Sequence, residues 1–249
     1  MTSFPATWSD IARRRQEMEQ AALSFNRRQR EKGSSYTVRF LGPEDEVSLV
    51  SLSMKVTRDT PAFTAVLRLS TAQMEYYWRA LCKVALRDRE AFAIGVAHEG
   101  ELHAAATLGT VAFPTVGNTA RFLGGLLLGL GPVGLWRYLR AIHGYEKLLE
   151  LGAEERSTTI RFIWLYADPD RQGGGCGSRM IRFVIPLCRR LGFARIQGAV
   201  DAQDERLNRF YARFGGVHGR RAHMSGVEIV ETLRTLDDVD PDQEPRTKE

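Results

Sequence analysis

Apolar and polar positions alternate along the chain with two different periods. Trp8, Ile11, Arg15, Met18, Ala22 and Phe25 recur at three- and four-residue steps. This predicts an N-terminal amphipathic helix within residues 1–35, with Arg13, Arg14, Arg27, Arg28 and Arg30 on its other side and Gly33-Ser34-Ser35 as a linker. Tyr36–Leu41 reads as a strand, and Gly42-Pro43-Glu44-Asp45 as a helix start with Pro in the first turn. Helices are expected over Val47–Val56 and Ala72–Leu86. Phe92–Ala97 and Leu102–Thr110, joined across Glu99-Gly100, read as a hairpin. Ile160–Ala167 is a strand rich in β-branched and aromatic residues, ended by Asp168-Pro169-Asp170. Ser178–Cys188 has helical spacing, and Pro186 within it is expected to kink the helix. Phe193–Val200, Gly216–His223 and Val227–Leu233 complete the strands.

Between the hairpin and Ile160 lies an insertion of residues 111–158, where a tight turn would suffice. Its run Phe122–Trp136 is uncharged, but too short and too interrupted by Gly and Pro to cross a bilayer, and Trp136–Leu151 reads as an amphipathic helix. Residues 36–236 are therefore expected to form the main domain. Residues 237–249, acidic and holding two prolines, are expected to be a disordered tail.

Composition is that of a soluble globular protein, and 249 residues suffice for a full core. The net charge of +5 is uneven, with residues 1–35 at +3 and residues 237–249 at −4, so the middle is basic. A basic middle suits a phosphorylated ligand. No nucleic-acid motif accompanies the charge, so nucleic acid is not the expected partner. Cys82, Cys176 and Cys188 have no metal or redox spacing, and their odd number argues against a disulfide framework. The opening MTSFPATWSD has no basic region followed by an apolar stretch, which sets the expected location as cytoplasmic.

The chemistry is concentrated where strand Ile160–Ala167 passes through Gln172-Gly173-Gly174-Gly175-Cys176-Gly177-Ser178 into a helix. A helix N-terminus has amides without intrahelical partners and partial positive charge, and glycines let the main chain approach a phosphate. No lysine follows Gly177, so a Walker-type loop is excluded; Met180 stands where a dinucleotide fingerprint needs its third glycine. The pattern Gln172-x-x-Gly175-x-Gly177 resembles the pyrophosphate loop of the GNAT superfamily of N-acetyltransferases. Asn208-Arg209-Phe210-Tyr211-Ala212-Arg213-Phe214-Gly215-Gly216 resembles that family's second signature, except that Gly216 stands where the family usually has Phe. The insertion and Pro186 are similar to those of puromycin N-acetyltransferase-like small-molecule acetyltransferases.

The resemblance implies an α/β (α+β) fold with a mixed, mostly antiparallel central sheet flanked by helices. It implies acetyl-CoA as acyl donor, no metal, and a small-molecule primary amine as acceptor attacking directly. Gln172, Gly173, Gly174, Gly175, Cys176, Gly177 and Ser178 would hold the pyrophosphate, while Leu165, Tyr166 and Ala167 would bind the pantetheine arm as a neighbouring strand does. Asn208 would touch the cofactor or the strand above it, or cap its helix. Tyr211 would protonate the leaving thiolate, or serve only as a core aromatic. Cys176 is either a thiol activated by the helix end or a small buried apolar residue. His103, His143, His223 and Glu228 are candidate bases. The insertion is expected to wall the acceptor pocket, to cover core, or to make a homodimer contact. Transfer of a longer acyl chain and a non-catalytic acyl-CoA sensor are the alternatives.

Overall fold

The computed structural model describes residues 14–58, 60, 67–111, 113–171 and 173–237. Trp8, Ile11, Arg13, Gln172 and the tail beyond Asp237 lie outside the described residues. The helices are α1 (Arg15–Glu31), α2 (Glu46–Arg58), α3 (Thr71–Ala85), α4 (Val116–Leu148), α5 (Ala153–Thr158), α6 (Cys176–Arg190) and α7 (Glu205–Arg213). The strands are β1 (Thr37–Leu41), β2 (Ala91–His98), β3 (Glu101–Gly109), β4 (Thr159–Ala167), β5 (Arg195–Asp201), β6 (Val217–Met224) and β7 (Val227–Thr235). They form one sheet in the order β1-β2-β3-β4-β5-β7-β6, antiparallel throughout except for β4 beside β5.

Local chemistry sets these elements. Glu99 and Gly100 have φ of 50° and 84°, as do Ser225 and Gly226 at 52° and 89°. Two successive positive φ values are what a tight hairpin requires. Ser70 and Gln73 close a reciprocal cap on α3, each side chain accepting from the other's amide at 3.3 and 3.0 Å. The Asp88 carboxylate accepts from the Thr115 amide and hydroxyl and from Asn118, so a negative charge fixes the start of α4.

The sheet separates two cores. On one side, α6 buries Met180, Ile181, Val184 and Leu187 together with Met18, Ala22 and Phe25 of α1. Asn26 of α1 bonds both the amide and carbonyl of Val38, so this helix is tied to the sheet's edge. On the other side α2, α3 and α4 enclose Leu49, Trp78, Leu81, Phe122, Leu126 and Trp164.

One expectation is revised. The insertion is helical from Val116, well before Trp136, with a break at Gly131 (φ 68°, ψ 177°) followed by Pro132. Burial of Phe122, Leu126 and Leu130 overrides the weak propensity of Gly124, Gly125 and Gly129, and a Cβ at Gly129 would collide with the Tyr76 ring of α3. Pro186 lies inside α6, which runs through it as one helix.

Asp45, just before α2, receives both Arg39 terminal nitrogens at 2.7 and 2.6 Å and the Gly42 amide at 3.0 Å. Arg39 holds its carboxyl below the ordinary aspartate range. The resulting stability is present above the unfolded-state pKa and is lost as pH falls through the lower folded one. Asp45→Asn should therefore cost about 1 kcal/mol at pH 7, discounted for the half-exposed Arg39. In urea titrations the gap from wild type should close as pH falls below the ordinary aspartate range.

Candidate active site

The site originates in a defect of β4. Thr107 faces Trp164 and Leu108 faces Phe162, so Ile163 has no opposite residue on β3 and the strand bulges there. Pairing with β5 covers only Thr159–Arg161 against Arg195–Gln197. Beyond that point β5 continues along β7, while Phe162–Ala167 bonds only to β3. The two parallel strands thus open into a fork, and one edge of β4 keeps its main-chain groups unpaired by any described strand. The cleft in the fork is lined by Phe162, Gly198 and Val200 of the strands, Ile181 and Ile185 of α6, and Tyr211 of α7.

At the end of β4 the chain turns through Asp168-Pro169-Asp170-Arg171 and the glycines into α6. Gly173 and Gly175 have φ of 90° and 77°, and a Cβ on either would meet nothing within 4 Å. A Cβ on Gly174 would approach the Arg171 carbonyl at 3.3 Å and the Tyr36 hydroxyl at 3.4 Å. No side chain caps α6, whose first internal bond is from the Arg179 amide to the Gly175 carbonyl. The turn therefore presents open space, main-chain amides and a helix's positive end together, an arrangement suited to a diphosphate.

Side chains brace this turn from three directions. Asp168 is buried, accepts from Lys55 of α2 at 2.8 Å and from the Asp170 amide at 3.0 Å, and donates its own amide to the His103 carbonyl. Lys55 also meets Asp170 at 2.6 Å. Lys55→Ala should weaken binding of a diphosphate ligand at this turn about threefold, as expected of a partly exposed ion pair. Calorimetric titration with coenzyme A as the diphosphate probe at two ionic strengths checks this, since the wild-type advantage should shrink in salt. Tyr36 stands under the loop, and Arg179 of the first helical turn lies 4.9 Å above its ring. The Arg179 Nε and Nη1 atoms are buried without a hydrogen-bond partner. Cys176 is buried, and burial raises its thiol above the ordinary value, which favours the small buried apolar residue over the activated thiol.

The second signature reaches the same place. Phe210 of α7 packs against Gly177, where a Cβ would lie 3.5 Å from the ring. Asn208 donates to the carbonyls of Asp201, Ala202 and Asp204, binding α7 to the end of β5. Its cap function is taken by Asp204, whose side chain accepts from Leu207. Burial pushes the Tyr211 phenol well above the usual tyrosine value, and the neighbouring Tyr145 phenol of α4 adds to the shift. Gly216 has a reason to lack a side chain, because a Cβ there would sit 3.0 Å from both the Tyr211 carbonyl and Thr232.

Residues 60–216 match the family model described as Acetyltransferase (GNAT) family. The chain belongs to the GNAT acetyltransferase family. Solved GNAT-type structures share its fold. An N-acetyltransferase from Staphylococcus aureus Mu50 is 14% identical with a TM-score of 0.53, over 82% of this chain and 100% of that one. The PaiA N-acetyltransferase from Thermoplasma acidophilum, solved in complex with coenzyme A, is 14% identical with a TM-score of 0.51, over 80% and 98%. YncA from Salmonella typhimurium, solved with its cofactor acetyl-CoA, is 13% identical with a TM-score of 0.50, over 84% and 99%. No curated protein matches the chain in sequence.

In this GNAT chain Leu165, Tyr166 and Ala167 end β4 and lead into Gly173–Ser178, Asn208 ties α7 to the end of β5, and Tyr211 lines the cleft towards the point where β4 and β5 still pair. The candidate bases are scattered. His103 is buried beside Tyr36 and 3.4 Å from Glu101, while His143 and His223 are exposed and Glu228 pairs with Arg221. Sequence reasoning missed Lys55, Tyr36 and Arg179, which carry no motif and are distant in sequence from their partners or read as helix surface. Among the described residues no cluster suited to a metal occurs.

Proposed function

We propose that this GNAT enzyme transfers an acetyl group from acetyl-CoA to a primary amine of a small molecule. The observation that carries the reading is the fork between β4 and β5, which ends at the uncapped start of α6. The amides of Gly173–Ser178 would take the pyrophosphate, with Gln172 beside them. Arg179 is half-buried, and its Nε and Nη1 are enclosed without acceptors; unmet buried donors of that kind are costly, so a phosphate nearby would relieve them. The free edge of Leu165, Tyr166 and Ala167 would pair with the amides of the pantetheine arm as β5 would have done.

The amine would attack the thioester carbon directly, forming the C–N bond as the C–S bond breaks. A β4 main-chain amide would stabilise the charge on the carbonyl oxygen, a contribution of about 3–4 kcal/mol for one such donor. Tyr211, kept protonated by its surroundings, would deliver its proton to the departing sulfur. The amine's own proton would leave to a base or to water. The acceptor would lie on the far side of β4, where the inward face of α4 places Tyr138 and Tyr145 near Tyr77, Trp78 and Trp164. That apolar, aromatic wall supports a small, partly hydrophobic amine. Residues 36–236 would carry the reaction, with α1 as an appended helix.

Thiol release from acetyl-CoA across a panel of small amines, with calorimetry of CoA binding, tests the proposal. Amine-dependent release is expected. Tight CoA binding without turnover on any amine would instead assign a sensor.

A further inference from the structure

We propose that the outward side of α4 seats the protein on an anionic lipid surface, a role separate from the transfer reaction. By length and composition α4 resembles a membrane-crossing helix, yet only 28% of its most apolar window is buried inside the protein. Its inward residues Phe122, Leu126, Leu130 and Tyr138 pack on the core. On its outward side Leu128 is 85% exposed, Val133 63% and Trp136 58%, with Leu127 and Leu139 also open to solvent. Ordinary soluble surfaces do not collect large apolar side chains in this way.

The helix is shaped to lie on a membrane and not to cross one. Gly131 breaks it into segments of 15 and 17 residues, Val116–Leu130 and Pro132–Leu148. At 1.5 Å per residue these span roughly 22 and 25 Å, short of a hydrocarbon core of about 30 Å. Both segments are also anchored to the rest of the fold, Gln73 of α3 donating to the Leu130 carbonyl and Gly144 lying beside Met224 of β6.

Charge identifies the surface. No Asp or Glu occurs between Glu101 and Glu146, and the only charged side chains there are Arg121, Arg137 and Arg140. All three arginines are exposed, and Arg140 lies 5.6 Å above the Trp136 ring. From Ala120 to Ile142 the sequence holds no Ser, Thr, Asn, Gln, Asp or Glu. A protein interface of ordinary size needs around ten hydrogen bonds, and this face supplies arginines alone. A second copy meeting it about a two-fold axis would bring the same arginines together with no carboxylate to pair them. A lipid interface asks for what is present: apolar side chains to enter it, Trp at the boundary and cations for phosphate headgroups.

The test is sedimentation of the full chain with phosphatidylcholine vesicles, with and without phosphatidylglycerol. Binding should be about tenfold or more tighter with the anionic lipid and should weaken in salt. Leu128→Glu/Trp136→Glu should abolish pelleting while circular dichroism keeps the wild-type melting curve. Arg121→Gln/Arg140→Gln leaves the apolar side chains in place and should lose the preference for phosphatidylglycerol, so the proposal remains testable if the first variant does not fold. No pelleting at low salt, or pelleting indifferent to these substitutions, would overturn it. So would a concentration-dependent dimer in sedimentation velocity that Leu128→Glu/Trp136→Glu dissolves, which would assign the face to a second copy. Soluble acceptor turnover enters none of these readings, so a failed lipid assay and a failed transferase assay remain distinguishable.

Discussion

Tyr211→Phe should lower kcat by about tenfold to a hundredfold, the range lost when a positioned proton donor is removed. CoA affinity by calorimetry should change by less than about twofold, because the ring, which does the packing, remains. The same environment sets a pH expectation. Burial and the Tyr145 phenol both push the Tyr211 phenol up, so its proton is retained through the pH where an ordinary tyrosine ionises. The kcat profile should therefore show no alkaline decline from this group near pH 10. Undiminished turnover in the variant would reduce Tyr211 to a core aromatic of α7.

Gly175→Val should abolish measurable coenzyme A binding. The position has φ of 77°, a conformation that costs a β-branched residue about 1–3 kcal/mol. Its side chain would also project into the open space over the turn, where a phosphate must come within hydrogen-bond distance of the main chain. Gly192→Val separates the two effects. Gly192 has φ of 88° and follows the other end of α6, so it carries comparable strain without touching the cradle. Both variants should melt several degrees lower, and Gly175→Val alone should lose CoA affinity. Equal losses would mean that strain, and not obstruction, accounts for the result.

Much of the site could be read before the fold was known because the chemistry depends on main chain. Glycines at Gly173, Gly175 and Gly177 after a β-branched strand specify a turn and a helix start whatever surrounds them. Phe210 and Tyr211 were legible through a resemblance, and the contact between Phe210 and Gly177 supplies its physical reason. What could not be read depends on contacts between distant segments. Lys55 looks like any helix-surface lysine until Asp168, more than a hundred residues away, is placed beside it. The early start of α4 was hidden for a related reason: its glycines argue against a helix, and only burial against α3 overrules them. The extra residue in β4 leaves no mark in composition, since Ile163 is an ordinary strand former.

That extra residue has a second effect. Side chains on a strand point alternately up and down, so one inserted position inverts the sense of every residue after it. Ile160 and Phe162 face α6, whereas Trp164 and Tyr166, still at even numbers, face α3. Ile163 shares the α3 face with Trp164, so the bulge sets two neighbouring side chains on the wall behind the fork. Without Ile163 the ladder would run unbroken from Phe162 to Trp164, with Trp164 still opposite Thr107 and Tyr166 opposite Ala105. The aromatic wall would keep its rings, and only the irregularity that parts β4 from β5 would be lost.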